Sequence, residues 1–201
     1  MPSLRLWFVS LVVAGLACES ATGPLEVPEG QLHFVRQDLL APPLLATRDS
    51  FYAKVGDGRE LKLYYQGIIP GDTGEEFVHF EVPGDGLSRR PDGTLFGPGD
   101  SVLITVTVVD PDRFVFQFEP AGLRFSAEHP ARMKVRYLLG EHDFDGDGDE
   151  DPLDLEIEQQ LGLWHQAVPG GRWRQIGAVR FDDLDEINAN IASFSQYAVA
   201  W

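Results

Sequence analysis

The 201-residue chain predicts an all-β fold, an antiparallel β-sandwich interrupted by one inserted loop and one short helix. Apolar residues recur with period two along most of the chain, as a half-buried strand requires. Clusters of Gly, Pro and Asp separate these runs at the spacing of turns. One stretch alone, between residues 150 and 161, changes to helical spacing.

Taken in order, Glu60-Leu61-Lys62-Leu63-Tyr64 alternates, Val78, Phe80 and Val82 share a face, and Val102, Ile104, Val106 and Val108 share another. Phe114, Phe116 and Phe118 form an aromatic stripe, read as core. Turns are expected at Gly56-Asp57-Gly58, Pro83-Gly84-Asp85-Gly86, Pro91-Asp92-Gly93 and Gly97-Pro98-Gly99-Asp100. A strand over 133–138 follows, with Met133, Val135 and Tyr137 on one side. Residues 161–166 form the next, and Trp164 and Trp173 flank a Pro169-Gly170-Gly171 turn, placed to pack across strands. Asp182-Asp183 and Asp185-Glu186 read as a solvated turn before Ile187. The last strand carries Phe194, Tyr197 and Val199. No long polar linker divides residues 31–201, so one compact unit is expected.

Residues 1–17 have the pattern of a signal peptide: Arg5 precedes an apolar run, residues 6–16, that is too short to span a bilayer, and small residues follow at Gly15 and Ala17. The chain's one cysteine, Cys18, comes next. This arrangement resembles the lipobox of bacterial lipoproteins, which implies a lipid on Cys18 and a place in the bacterial cell envelope. Ordinary signal cleavage also cuts after Ala17 and would leave a secreted or periplasmic protein. Residues 18–30, with Pro24, Pro28 and two glycines, read as a tether.

A formal net charge of −16 leaves no basic stripe for phosphates, which excludes nucleic-acid binding and opposes docking of the folded body on anionic lipid. The acidity is uneven. Residues 141–158 hold ten of the 32 Asp and Glu side chains and no Lys or Arg. Within them Asp143, Asp145, Asp147, Asp149, Asp151 and Asp154 stand at positions one, three, five, seven, nine and twelve of a twelve-residue loop, with Gly148 at the sharp turn. Alternate carboxylates on a tight turn supply the oxygens that a hard cation needs. The loop resembles the EF-hand, and more closely the single calcium loops of bacterial extracellular proteins such as dockerins. The resemblance implies Ca²⁺ held by side-chain oxygens of Asp143, Asp145, Asp147 and Asp151, by the Asp149 carbonyl and by Asp154 as the closing carboxylate. Glu150 departs from the usual apolar residue, and Asp154 is shorter than the Glu of EF-hands. Asp151 caps a helix over about 152–160 that starts with Pro152 and repeats Leu153, Ile157 and Leu161. With a strand before it and no second loop, this is half a hand, and its use is structural: the insertion, residues 141–160, would brace a hairpin formed by 133–138 and 161–166.

Phe118-Glu119-Pro120-Ala121-Gly122-Leu123-Arg124-Phe125-Ser126, Pro130-Ala131, Trp173 and the closing Phe194-Ser195-Gln196-Tyr197-Ala198-Val199 resemble bacterial relatives of the ZU-five domain over residues 100–201. That resemblance implies a β-sandwich interaction module. Some ZU-five domains, and related domains of adhesion receptors, cleave themselves before a Ser or Thr. Here Ser195 would be the nucleophile and Phe194–Ser195 the bond, but Ser193 occupies the place of the histidine base. The five histidines, His33, His79, His129, His142 and His165, show no zinc-ligand spacing, and no nucleophile elbow or phosphate loop occurs. The expectation is a non-enzymatic module that binds a protein or a surface glycan. Self-cleavage at Phe194–Ser195 and a carbohydrate-binding module are the alternatives.

Overall fold

The computed structural model describes residues 25–201, so the expected leader and Cys18 lie outside the described residues. Fourteen strands run in chain order: β1 (Glu26–Val27), β2 (Arg48–Lys54), β3 (Arg59–Gln66), β4 (Thr73–Val82), β5 (Leu87–Arg89), β6 (Ser101–Asp110), β7 (Val115–Glu119), β8 (Arg124–Phe125), β9 (Ala131–Arg136), β10 (Gly162–Gln166), β11 (Trp173–Ile176), β12 (Ala178–Phe181), β13 (Glu186–Ile191) and β14 (Gln196–Ala200). A seven-stranded sheet has the order β1-β11-β10-β14-β7-β6-β2 and a five-stranded sheet the order β12-β13-β9-β4-β3. All the pairings are antiparallel. The fold is an all-β sandwich, and because β2 pairs with β6 and β4 with β9, both halves of the chain enter both sheets.

Alternation decides the faces. Leu61 and Leu63 of β3, Val78 and Phe80 of β4, Ile104 and Val106 of β6, and Met133 and Val135 of β9 turn inward and are almost wholly buried. Their neighbours Lys62 and Lys134 point outward into ion pairs with Glu60, Glu76 and Glu186, and His79 Nε2 lies within hydrogen-bond distance, 2.8 Å, of Glu60 Oε2. The centre of the core is aromatic, with Phe80 5.0 Å from Phe118 and Phe194 5.1 Å from Phe118 and 5.0 Å from Phe125 between ring centroids. A second cluster covers the outer face of the seven-stranded sheet, where Trp164, Trp173, Ala198 and Ala200 lie under Leu32. Trp164 Nε1 donates to Ala200 O at 2.9 Å.

Two expectations need correction. Residues 26–31 are not tether: Val27 pairs with Trp173 at the sheet edge, and residues 29–31 form a 3-10 turn. The acidic insertion also does not interrupt a hairpin. β9 lies in the five-stranded sheet and β10 in the seven-stranded one, between β11 and β14. Residues 137–161 are therefore a crossover between the two layers, with the helix α1 (Pro152–Glu158) inside it.

Candidate functional site

In the crossover the chain turns around its own carboxylates. Asp143 Oδ1 accepts from the N–H groups of Gly146 (2.8 Å) and Asp147 (3.1 Å), and its Oδ2 from Gly148 (2.9 Å). Gly146 and Gly148 hold φ of 76° and 102°, a left-handed backbone that side-chain-bearing residues avoid. Asp145 Oδ1 accepts from Asp147 N, and Asp147 Oδ1 from Asp149 N. The result is two overlapping carboxylate groups, Asp143–Asp145–Asp147 and Asp147–Asp149–Asp151, each with oxygens within 4.8 Å of one another.

Asp154 takes a different part. It is buried and outside both groups, and its oxygens accept from Phe144 N (2.6 Å), Asp145 N (3.1 Å) and Asp151 N (2.9 Å). Together with Asp151 Oδ1, which accepts from Leu153 N at 2.6 Å, it completes a capping box on α1. Instead of closing the carboxylate groups, the short twelfth side chain ties the start of the loop to the helix.

The charges report the crowding. The neighbouring Asp147 carboxylate, through its charge and then its hydrogen bonding, pushes the Asp149 pKa up. At Asp145 the Asp147 N–H pulls downward most strongly of any one influence, but burial and the Asp147, Asp154 and Asp143 charges outweigh it and the pKa rises. Asp154 moves down, first because the Asp151 N–H donates to it. Oxygen-only donors crowded closely enough to push Asp145 and Asp149 upward fit a hard divalent cation, whose charge would offset the repulsion.

The loop is moored to the sandwich. Phe144 sets its ring 5.3 Å from that of Trp201, and Tyr137 Oη donates to Glu158 Oε1 at 2.8 Å. Glu141 N donates to Arg36 O, and Arg180 Nη1 donates to Glu158 O.

A second constellation lies in the core. Ser195 Oγ is 2.6 Å from His165 Nε2, and both side chains are buried. His165 lies on β10 opposite Tyr197 of β14, and its ring is 4.8 Å from the tyrosine ring. Two residues before Tyr197, Ser195 falls diagonally across that pairing. The carbonyl of Phe194 accepts a hydrogen bond from Gly122 N at 2.9 Å. A candidate nucleophile, a base and a donor on the adjacent carbonyl oxygen thus meet around one peptide bond. Sequence reading missed His165 because its partner is thirty positions away, and only strand pairing brings the two together.

Burial, and then the nearby Arg174 charge, lowers the His165 pKa from 6.5 to about 4, so the ring is neutral at physiological pH. As pH falls below 6.5 the unfolded chain takes up this proton and the folded one does not until about 4. Stability is therefore expected to fall across that window, by up to about 3 kcal/mol from this group. Urea denaturation at pH 7, 5.5 and 4.5 should show a steeper loss for wild type than for His165→Gln.

The remaining histidines form no metal group among the described residues. A shallow groove of about 640 Å³ on the five-stranded sheet offers His79, Arg132, Lys134, Asn188 and Asn190 but no Trp, Tyr or Phe platform for a sugar ring. No described helix is long and apolar enough to cross a membrane. No protein-family model, curated protein or solved structure matches the chain.

Proposed function

We propose that this chain is an exported, lipid-anchored module of the bacterial cell envelope, a sandwich of the ZU-five kind that uses one Ca²⁺ to stiffen its crossover. Such a module has no enzymatic role and presents its surface to a partner protein or glycan. The observation that carries this reading is the pair of carboxylate groups sharing Asp147, in a loop that joins the two sheets. Asp143, Asp145, Asp147 and Asp151 would hold the ion through side-chain oxygens and Asp149 through its carbonyl. Bound there, the ion would supply positive charge that neutralises the loop. Calcium titrated into the chelator-treated protein is expected to give saturable heat in calorimetry; no heat would remove the reading.

The 2.6 Å contact between Ser195 Oγ and His165 Nε2 favours a second reading, self-cleavage at Phe194–Ser195. A neutral imidazole with Nε2 free can take the hydroxyl proton as Oγ attacks the Phe194 carbonyl carbon. Gly122 N–H would stabilise the oxygen as it becomes negative. The C–N bond then breaks, the proton passes from His165 to the Ser195 nitrogen, and an ester to Oγ replaces the amide. Water hydrolyses the ester, leaving a Phe194 carboxylate and a free Ser195 hydroxyl and amine. The released segment, residues 195–201, would stay paired in β14 under native conditions. Denaturing intact-mass analysis is therefore expected to show a chain ending at Phe194 for wild type and a full-length chain for Ser195→Ala. Wild type that stays whole through prolonged incubation would reject this reading.

A further inference from the structure

Two neighbouring loops expose aliphatic pairs: Leu39 is 100% and Leu40 92% exposed, and Ile68 is 105% and Ile69 64%. Both loops spring from one short ladder, in which Leu44 pairs with Tyr65 and Gln66 N donates to Pro43 O. Residues 38–41 turn back through Ala41 N donating to Asp38 O, and residues 67–72 are the turn between β3 and β4, so both pairs ride on turns next to the same ladder. Single exposed apolar residues are ordinary, but two consecutive ones on each of two adjacent loops form a patch that folding leaves unpaired.

The patch stands at the end of the sandwich that carries the acidic crossover. Asp38 N donates to Leu139 O, and Gln37 bridges Gly140, just where the crossover begins. The N-terminal chain reaches the same end. β10 starts there at Gly162, Leu163 pairs with Ile176, and β1 runs antiparallel to β11 with Glu26 opposite Arg174. Traced backward from Leu25, whose carbonyl accepts from Gln175 N, the chain points along β11 toward Ile176 and that end. Cys18 stands seven positions before Leu25, a span of at most about 25 Å. A lipid on Cys18 would therefore hold this end near the bilayer.

We infer that Leu39, Leu40, Ile68 and Ile69 are a bilayer-docking surface that seats the anchored sandwich on zwitterionic lipid. The inference rests on the lipid-anchor reading above. Charge selects the lipid: residues 38–45 and 67–72 contain Asp38 and Asp72 but no Lys or Arg, and the nearby crossover is acidic. Anionic headgroups would be repelled, whereas insertion of aliphatic loop tips needs no counter-charge.

The test uses residues 19–201, which include the whole two-sheet body and cannot be lipidated. Cosedimentation with phosphatidylcholine vesicles is expected for wild type. It should fall by more than about tenfold for the quadruple variant L39S/L40S/I68S/I69S, with an unchanged melting temperature because the four side chains support nothing in the core. Wild type that stays in solution, or a variant that sediments equally, would overturn the inference. So would sedimentation velocity showing that the substitutions instead dissolve a dimer of this chain. In parallel, the full chain expressed in bacteria is fed labelled palmitate. Vesicle binding without label on wild type would support the docking surface while removing the anchor; label without vesicle binding would do the reverse.

Discussion

Phe194→Ala is expected to destabilise the sandwich by about 3–5 kcal/mol, the cost of removing a buried aromatic ring and leaving a cavity. The ring is 2% exposed and lies among Phe80, Phe118 and Phe125, with members from both sheets. Its backbone is equally engaged: Phe194 N donates to Leu123 O and its carbonyl accepts from Gly122 N, both at 2.9 Å. Surrounding strands held by such ladders cannot collapse far into the space. Urea denaturation should show a lower midpoint with an unchanged slope, which signals lost stability and not a changed unfolded state. Phe181→Ala, at a ring 44% exposed on β12, is the control and should stay within about 0.5 kcal/mol of wild type. If Phe194 also carries a scissile carbonyl, the rigidity that makes this variant costly is what would hold that carbon beside Ser195 Oγ.

Calcium at a hundredfold excess over its dissociation constant is expected to stabilise the protein by about 2.7 kcal/mol, because a ligand that binds only the folded state shifts the equilibrium toward it. Asp147→Ala supplies a sign test. Asp147 belongs to both carboxylate groups and is the main cause of the raised Asp149 pKa. In chelator its removal relieves repulsion, so the variant should melt no lower than wild type. In calcium it loses a shared ligand, so the variant should melt below wild type. A variant that melts lower by the same amount in both conditions would show a loop held by hydrogen bonds alone, without an ion.

Much of the architecture was legible locally. Alternation marked β3, β4, β6 and β9 because a strand's two faces meet different solvents, and this period is written residue by residue. The helix start at Asp151-Pro152 was equally local, since a cap and a proline act within one turn. The turn before β13 was legible only in part: Asp182 and Asp183 are exposed and Asp185 adopts φ 46°. Glu186, read into the same solvated turn, is instead buried at the start of β13, where Lys134 pairs with it and Asn188 donates to it. The short strands β1, β5, β8 and β12 were not legible, because their two to four residues are too few to display a period and exist only through their partners.

The sequence by itself determined that this chain forms a sandwich with one acidic, helix-capped insertion, since period, turn chemistry and charge spacing act at short range. Tertiary structure alone decided that β9 and β10 enter opposite sheets, making the insertion a crossover. It also decided that Asp154 serves the backbone, that His165 meets Ser195, and that four aliphatic side chains share one end with the chain's entry point. Each of these depends on which strands pair across the fold, and pairing is settled by closing the core over long separations, a free energy that no local pattern records.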